Sequence, residues 1–390
     1  MPLKSLVSPE NQSVTFIELF FDLVFVFAVT QVVGLLHDGI TWSSIGQSVL
    51  VFWLVWWAWT QFTWTLNAAD TTHNLVQLST LAATVVAFFM AVALPDAFHS
   101  RELAFAIPYV LVRVIGLGLY ALVAASNERL RAAVTTFSLV STGGMVAVVL
   151  GAVVGDSSQY WFWGFAILLD VIAAGVGGQA EGWDLHTEHF VERHGLFVII
   201  ALGESLIVTA GVVTGAEWSG ELIGAAVLAV AITFGFWWSY FPISKPKLEH
   251  ALAAEIGKRH SMHARDVFSL LHFPVLFGVV ALAAGVEVIL AHPADPLPAE
   301  SRVTLAAGIA LFVGGVSLAT LRATGTLPLP RTALITATAL AVAMSGGVSP
   351  LVTLTIALCG VLAVVAVEQW QQTKRAQPHS PGLDMESADT

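Results

Sequence analysis

VTFIELFFDLVFVFAVTQVVGLL, residues 14–36, is the stretch on which the fold turns. Glu18 and Asp22 are its only charged residues. At 1.5 Å per residue a helix of this length spans roughly 34 Å, enough for a hydrocarbon core of about 30 Å. A barrel strand would be about ten residues long with strict alternation, and none is visible here. No water is available in the bilayer core, so the segment must close its own backbone hydrogen bonds as a helix.

Similar runs follow at residues 45–66, 75–94, 103–125, 132–154, 161–178, 190–213, 222–241, 267–290 and 303–321. Residues 332–367 are too long for one span, and Gly346, Gly347 and Pro350 break them into two short helices. The expected fold is all-α: a polytopic integral membrane protein of about twelve transmembrane helices, with no soluble domain of any size. Composition agrees, with 56% hydrophobic and only 11% charged residues and a mean hydropathy of +0.80. A soluble domain carries roughly 25% charged residues. The net charge of −11 argues against nucleic acid, and the lipid bilayer is the partner the composition implies. The single cysteine, Cys359, excludes an intrachain disulfide or a cysteine metal site. The polar lead-in at residues 8–13 and the acidic first run do not resemble a signal peptide.

Basic residues set the expected orientation. With the N-terminus inside, the inner segments hold twelve: Lys4, Arg129, Arg131, Lys245, Lys247, Lys258, Arg259, Arg265, Arg322, Arg331, Lys374 and Arg375. The outer loops hold Arg101 and Arg302. Both termini are therefore expected in the cytoplasm, in the cytoplasmic membrane; ten or twelve helices fit and eleven does not. Three pairs of short matches recur in the same order: Phe16-Ile17-Glu18 with Phe190-Val191-Glu192, Trp56-Trp57-Ala58-Trp59 with Trp237-Trp238-Ser239-Tyr240, and Arg131-Ala132-Ala133 with Arg331-Thr332-Ala333. They suggest a six-plus-six parallel internal repeat. The organisation is then an N-terminus at 1–13, a first half at 14–178, a connecting loop at 179–189, a second half at 190–367 and a polar tail at 368–390.

An ionisable group inside a span costs roughly 2.5 kcal/mol or more at the centre, so such groups face protein or water. Glu18 and Asp22 lie four residues apart on one helix face. Helical rise puts Asp22 about 12 Å from the inner end of its span, Arg113 about 15 Å and Asp170 about 14 Å from the outer ends of theirs. All three fall near the midplane, where one Arg113 between two carboxylates offsets much of the burial cost. Two readings stand: an ion or proton pathway, to which Asp22 with Glu18 below it belongs, and a structural ion pair, which suits Arg113 with Asp170. Glu204 follows a wholly apolar stretch, on roughly the helix face of Arg193.

Around the start of the seventh helix runs Asp184-Leu185-His186-Thr187-Glu188-His189-Phe190-Val191-Glu192-Arg193-His194. The i,i+3 spacing of His186, His189 and Glu192 suits a zinc site, against the ordinary reading of solvated interface residues. The second span holds Trp53, Trp56, Trp57, Trp59 and Trp64. An aromatic belt would put tryptophans at the ends only, so some of these pack between helices or line a cavity. No cofactor is expected: every lysine lies outside the spans, and no phosphate loop, G-x-S-x-G or H-E-x-x-H is present.

Glu18-Leu19-Phe20-Phe21-Asp22-Leu23-Val24-Phe25-Val26-Phe27 resembles the opening signature of the bacterial low temperature requirement A (LtrA) family. His189-Phe190-Val191-Glu192-Arg193-His194-Gly195-Leu196-Phe197-Val198-Ile199-Ile200-Ala201-Leu202-Gly203-Glu204-Ser205 is similar to its second motif. The resemblance runs to about Arg322. It implies a multi-spanning bacterial membrane protein, named for a requirement in growth at low temperature, and no biochemical activity. A shorter stretch, Phe20-Phe21-Asp22-Leu23-Val24-Phe25-Val26-Phe27-Ala28-Val29-Thr30, is similar to the F-S-D-G-V-F-A-I-A-I-T motif of lysosomal-type potassium and proton channels, which carry two six-helix repeats. It departs from that motif at Phe21, where a serine is expected.

The functional expectation is a channel or transporter for an ion or small solute. Asp22 lies on its path, Glu18 at its inner mouth, and Arg113 and Asp170 beside it. The alternatives are a membrane enzyme acting on a lipid or isoprenoid through Glu192, His194 and Glu204, and a sensor or scaffold without transport.

Overall fold

The computed structural model describes residues 6–9, 11–36, 39–178, 183 and 185–376. These form twelve helices and no strand. The first six are α1 (Phe16–Gly34), α2 (Trp42–Ala68), α3 (Asn74–Ala93), α4 (Glu102–Ala124), α5 (Glu128–Val154) and α6 (Asp156–Gly177). The next six are α7 (Thr187–Gly215), α8 (Gly220–Ala253), α9 (Lys258–Ala291), α10 (Ala299–Thr324), α11 (Leu329–Ala343) and α12 (Pro350–Ala376). Ten of them are long and apolar enough to cross a membrane. The other two are α2, diluted by tryptophan and polar residues, and α11, at 15 residues.

Local chemistry sets the helix ends. Thr15 precedes α1, and the Glu18 carboxylate accepts from both its backbone N–H and its hydroxyl, each at 2.9 Å. Ser219 and Asn127 cap α8 and α5 through their side-chain oxygens. Gly155, at φ +70°, turns the chain directly from α5 into α6, a backbone region that suits glycine.

Three expected boundaries need correction. The helices containing residues 222–241 and 267–290 extend well beyond the bilayer-length runs, through π-helical turns at Ser239–Ser244 and Ala264–Leu270, and meet in a hairpin. Of the two short helices expected within 332–367, only α11 is short; α12 has 27 residues. It continues to Ala376, through positions assigned to the polar tail, because buried Glu368 pairs there with Arg331 at 2.7 Å. The connecting loop at residues 179–182 and 184, and the tail after 376, lie outside the described residues.

Helices α1 and α2 pair, α1 packs on α3, α3 on α4, α4 on α5, α5 on α6, and α6 on α2. Among the second six, α7 pairs with α8 and packs on α9, α9 on α10, α10 on α11, α11 on α12, and α12 on α8. The two sets meet where α1 touches α7 and α9, and where α2 touches α7 and α9. Helix α2 runs through the middle, with every residue from 51 to 63 buried. Helices α9 and α10 approach backbone to backbone: a Cβ on Gly278 would stand 2.5 Å from the Phe312 nitrogen, and one on Gly308 2.6 Å from the Leu282 nitrogen. Any larger residue at either position would push the pair apart.

The end of the bundle carrying the α8–α9 hairpin also carries the Asn67–His186 contact and the Arg322–Asp266 pair. Most of the basic residues lie there, which makes it the basic end of the bundle.

Candidate functional site

Helical periodicity places Glu18 and Asp22 on one face of α1, and His189 and Arg193 on one face of α7. The two faces meet. Arg193 Nη2 lies 2.8 Å from Asp22 Oδ1, and Nη1 lies 3.3 Å from Glu18 Oε1. His189 Nε2 stands 3.0 Å from the same Glu18 oxygen. The two contacts to Glu18 Oε1 are close but poorly aligned as hydrogen bonds. All four side chains are buried.

Helix α2 closes the cluster from a third side. The Trp59 indole N–H donates to Asp22 Oδ1 at 2.7 Å, and the Arg193 guanidinium sits 5.6 Å from the Trp59 ring. Asn67, at the basic end of α2, accepts from the His186 backbone N–H at 2.9 Å. Its amide orientation is thereby fixed, and its NH2 group donates to the His186 carbonyl at 3.0 Å and to His189 Nδ1 at 3.1 Å. His189 Nδ1 is therefore an acceptor, and the proton sits on Nε2, the nitrogen facing Glu18.

The charge does not balance. Glu18 and Asp22 bring two carboxylates against the one guanidinium of Arg193. Asp22 Oδ2 is buried with no hydrogen-bond partner. The cluster is also reached from outside. A cleft of about 460 Å³ at the basic end is lined by Gln12, His186, Glu188, His189 and Glu192, among others. His189 is both a wall of that cleft and a contact of Glu18. The order cleft, His189, Glu18, Arg193, Asp22 leads from the surface about one helical turn beyond Glu18 into the bundle.

A second buried ion pair lies elsewhere. Arg113 Nη2 meets Asp170 Oδ1 at 3.1 Å, Arg113 Nη1 donates to the Tyr109 hydroxyl, and Arg113 Nε donates to Gln61 Oε1. Gln61 returns its amide N–H to the Arg113 carbonyl at 2.9 Å. This arrangement corrects the expectation of one arginine between two carboxylates. Arg113 takes Asp170 and Arg193 takes Asp22, because α7, not α4, packs on the charged face of α1.

The remaining candidates are dispersed. Glu192 is exposed in the cleft. His194 lies on the next face of α7 inside an aromatic box of Trp56, Trp59, Phe190, Phe268 and His272. Its Nδ1 donates to the Phe190 carbonyl at 2.8 Å, and its Nε2 has no partner. Glu204 lies three turns further along, hydrogen-bonded to Thr30. Glu192, His194 and Glu204 do not converge on one point. His189 spends both ring nitrogens on Asn67 and Glu18, and no group of three or more His, Cys, Asp or Glu among the described residues is arranged to hold a metal.

The tryptophans divide. Trp56 and Trp59 pack, while Trp57 and Trp64 line a cavity between α2, α4, α5, α6 and α9, with about 50 Å³ open to the centre of a water molecule. Sequence reasoning missed Asn67, Trp59 as a hydrogen-bond donor, the Arg331–Glu368 pair and Glu287. Glu287 carried a signal, being an ionisable residue within the 267–290 span. Asn67 carried none, since its role depends on a segment 119 residues away.

Twelve packed helices with ionisable groups buried between them define a multi-pass membrane protein. Residues 13–367 match the family described as bacterial low temperature requirement A protein (LtrA), and the chain belongs to that family. The match extends past Arg322, where the resemblance in the sequence was expected to end, into α12. An uncharacterized protein of Rhizobium meliloti (strain 1021) is 31% identical over 305 residues, covering 73% of this chain and 71% of that one. No solved structure matches.

Proposed function

We propose that the protein is a channel or transporter that carries a small cation or proton across the bacterial cytoplasmic membrane. The observation that supports this most is the buried cluster at the α1–α7 contact, which carries one carboxylate in excess and opens through His189 to a polar cleft. A purely structural ion pair needs equal numbers of charges and no access. An uncompensated buried carboxylate is costly, and a proton or a monovalent cation would relieve it. Asp22 is the group on the path, and Glu18 stands between it and the cleft.

In this reading the basic end is cytoplasmic, with both termini there, as the twelve-to-two distribution of basic residues favours. The matching order of helix pairings in α1–α6 and α7–α12 supports two repeated halves of the same orientation. The enzyme reading lacks a constellation, since its three candidate groups stand apart along α7.

Reconstitution tests the proposal. Proton and alkali-cation flux is measured in liposomes holding the purified protein, against empty vesicles and against Asp22→Asn. Flux above background for the wild type, returning to background in a folded Asp22→Asn protein, is expected. Equal flux in wild type and empty vesicles would overturn the transport reading. Equal flux in wild type and Asp22→Asn would remove Asp22 from the path.

A further inference from the structure

Beyond Asp22 and Arg193 the α1–α7 contact turns apolar. Phe25 and Val29 on α1, and Phe197, Val198 and Ala201 on α7, are wholly buried. Past this layer a second polar group appears. Glu204 lies eleven residues beyond Arg193, about 16 Å along the helix. It is 1% exposed. Its Oε1 has no hydrogen-bond partner, and its Oε2 lies 2.7 Å from the Thr30 hydroxyl of α1. Glu287 of α9 is within electrostatic reach of it.

The charged surroundings are one-sided. Helix α1 presents Thr30 there, and its own carboxylates lie at the other end, beside Arg193. Helix α2 has no ionisable side chain along its whole length. The first charged residue of α8, Glu221, is exposed at the end away from the basic end, and α9 presents Glu287. No basic side chain from these elements is within ion-pairing distance of Glu204.

Hydrogen-bond accounting at Thr30 adds a separate observation. The hydroxyl owns one hydrogen but has two oxygens in range, Glu204 Oε2 at 2.7 Å and the Val26 carbonyl at 3.3 Å. If Glu204 is ionised, Thr30 must give its hydrogen to the carboxylate and leave the Val26 contact unmade. If Glu204 carries a proton on Oε2, that proton goes to Thr30 Oγ, and Thr30 gives its own to Val26. Both short contacts of the hydroxyl are then hydrogen bonds, and no unpaired charge is left in the apolar interior.

We propose that Glu204 is a proton-binding site, holding one proton on Oε2 against the Thr30 hydroxyl, on the far side of the apolar layer from Asp22. Binding converts the Glu204 carboxylate to a carboxylic acid, and release restores it. An alkali cation fits less well, since the Glu204 carboxylate and the Thr30 hydroxyl fall short of the six or so oxygens a hard cation gathers. The role of the site as a second station on the path rests on the transport reading above; its protonation does not.

Infrared spectroscopy of the full-length purified protein separates the two. A carboxylic-acid C=O band is expected at neutral pH, shifted in heavy water and lost in Glu204→Gln. Asp22→Asn should leave that component in place. Thr30→Val keeps the acid but removes its acceptor, so the band should move to higher frequency; this variant also serves if Glu204→Gln folds poorly. Absence of the band in the wild type, or a band unchanged in both variants, would overturn the proposal. Loss of the band on adding sodium or potassium salts would overturn the choice of a proton over an alkali cation. A protein without flux that keeps the Glu204 band would sink only the transport reading.

Discussion

Arg113 with Asp170 and Arg193 with Asp22 are both buried arginine–aspartate pairs in the same bundle, yet their surroundings differ in kind. Arg113 has one carboxylate, and Gln61 and Tyr109 take two more of its donors. Charge is balanced one to one, while Asp170 Oδ2, like Asp22 Oδ2, is buried without a hydrogen-bond partner. Arg193 faces two carboxylates, and a neighbouring histidine reaches a cleft. Burying a balanced pair fixes how helices pack. Burying an unbalanced one stores a demand for positive charge. Depth in the membrane does not distinguish the two; stoichiometry and access do.

The largest effects should come from removing either arginine. Arg193→Ala strands two carboxylates, and little folded protein should survive detergent extraction and size-exclusion chromatography. Arg113→Ala strands one, at a cost of about 3–5 kcal/mol. Adding Asp170→Asn should restore part of the Arg113→Ala yield, whereas adding Asp22→Asn should restore none. Rescue by Asp22→Asn would mean that the two networks are one.

A sharper contrast comes from making the same change in each pair. Asp170→Asn leaves Arg113 without its carboxylate and should lower thermal stability by about 3–5 kcal/mol. Asp22→Asn removes the excess charge and leaves Glu18 facing Arg193 one to one, so its cost should be about 1 kcal/mol, that of a weakened hydrogen bond. Melting temperatures in detergent would compare them. If Asp22→Asn proves as damaging as Asp170→Asn, the excess-charge description fails.

Asn67→Leu should have an intermediate effect. It strands the His186 backbone N–H and frees His189 Nδ1, at about 1–3 kcal/mol. Flux should fall with little change in the amount of folded protein. The smallest effect belongs to Glu192→Gln. That residue is exposed in the cleft, so stability should not change, and any loss of flux should shrink as salt is raised and screens its field. A Glu192→Gln protein that loses all flux at every salt concentration would move the site from the α1–α7 contact to the cleft.

The amino-acid sequence by itself determined the class of fold, because a bilayer leaves no choice but helices to apolar runs of this length. It also picked out Glu18, Asp22, Arg113, Asp170, Arg193 and Glu204, since a charge within such a run stands out against its neighbours. What it left open was pairing. Position along a helix gives depth and face, and by depth Arg113 was the arginine expected beside Asp22. Only the packing of α7 against α1 assigned Arg193, and only that packing put Asn67 beside His189 and Thr30 beside Glu204. The boundaries at α8, α9 and α12 were hidden for a similar reason. Those helices continue past their apolar runs because the added turns are held by contacts such as Arg331 with Glu368, made between residues far apart in the chain. Local composition records the solvent a segment meets; the partner it meets is fixed only when the helices assemble.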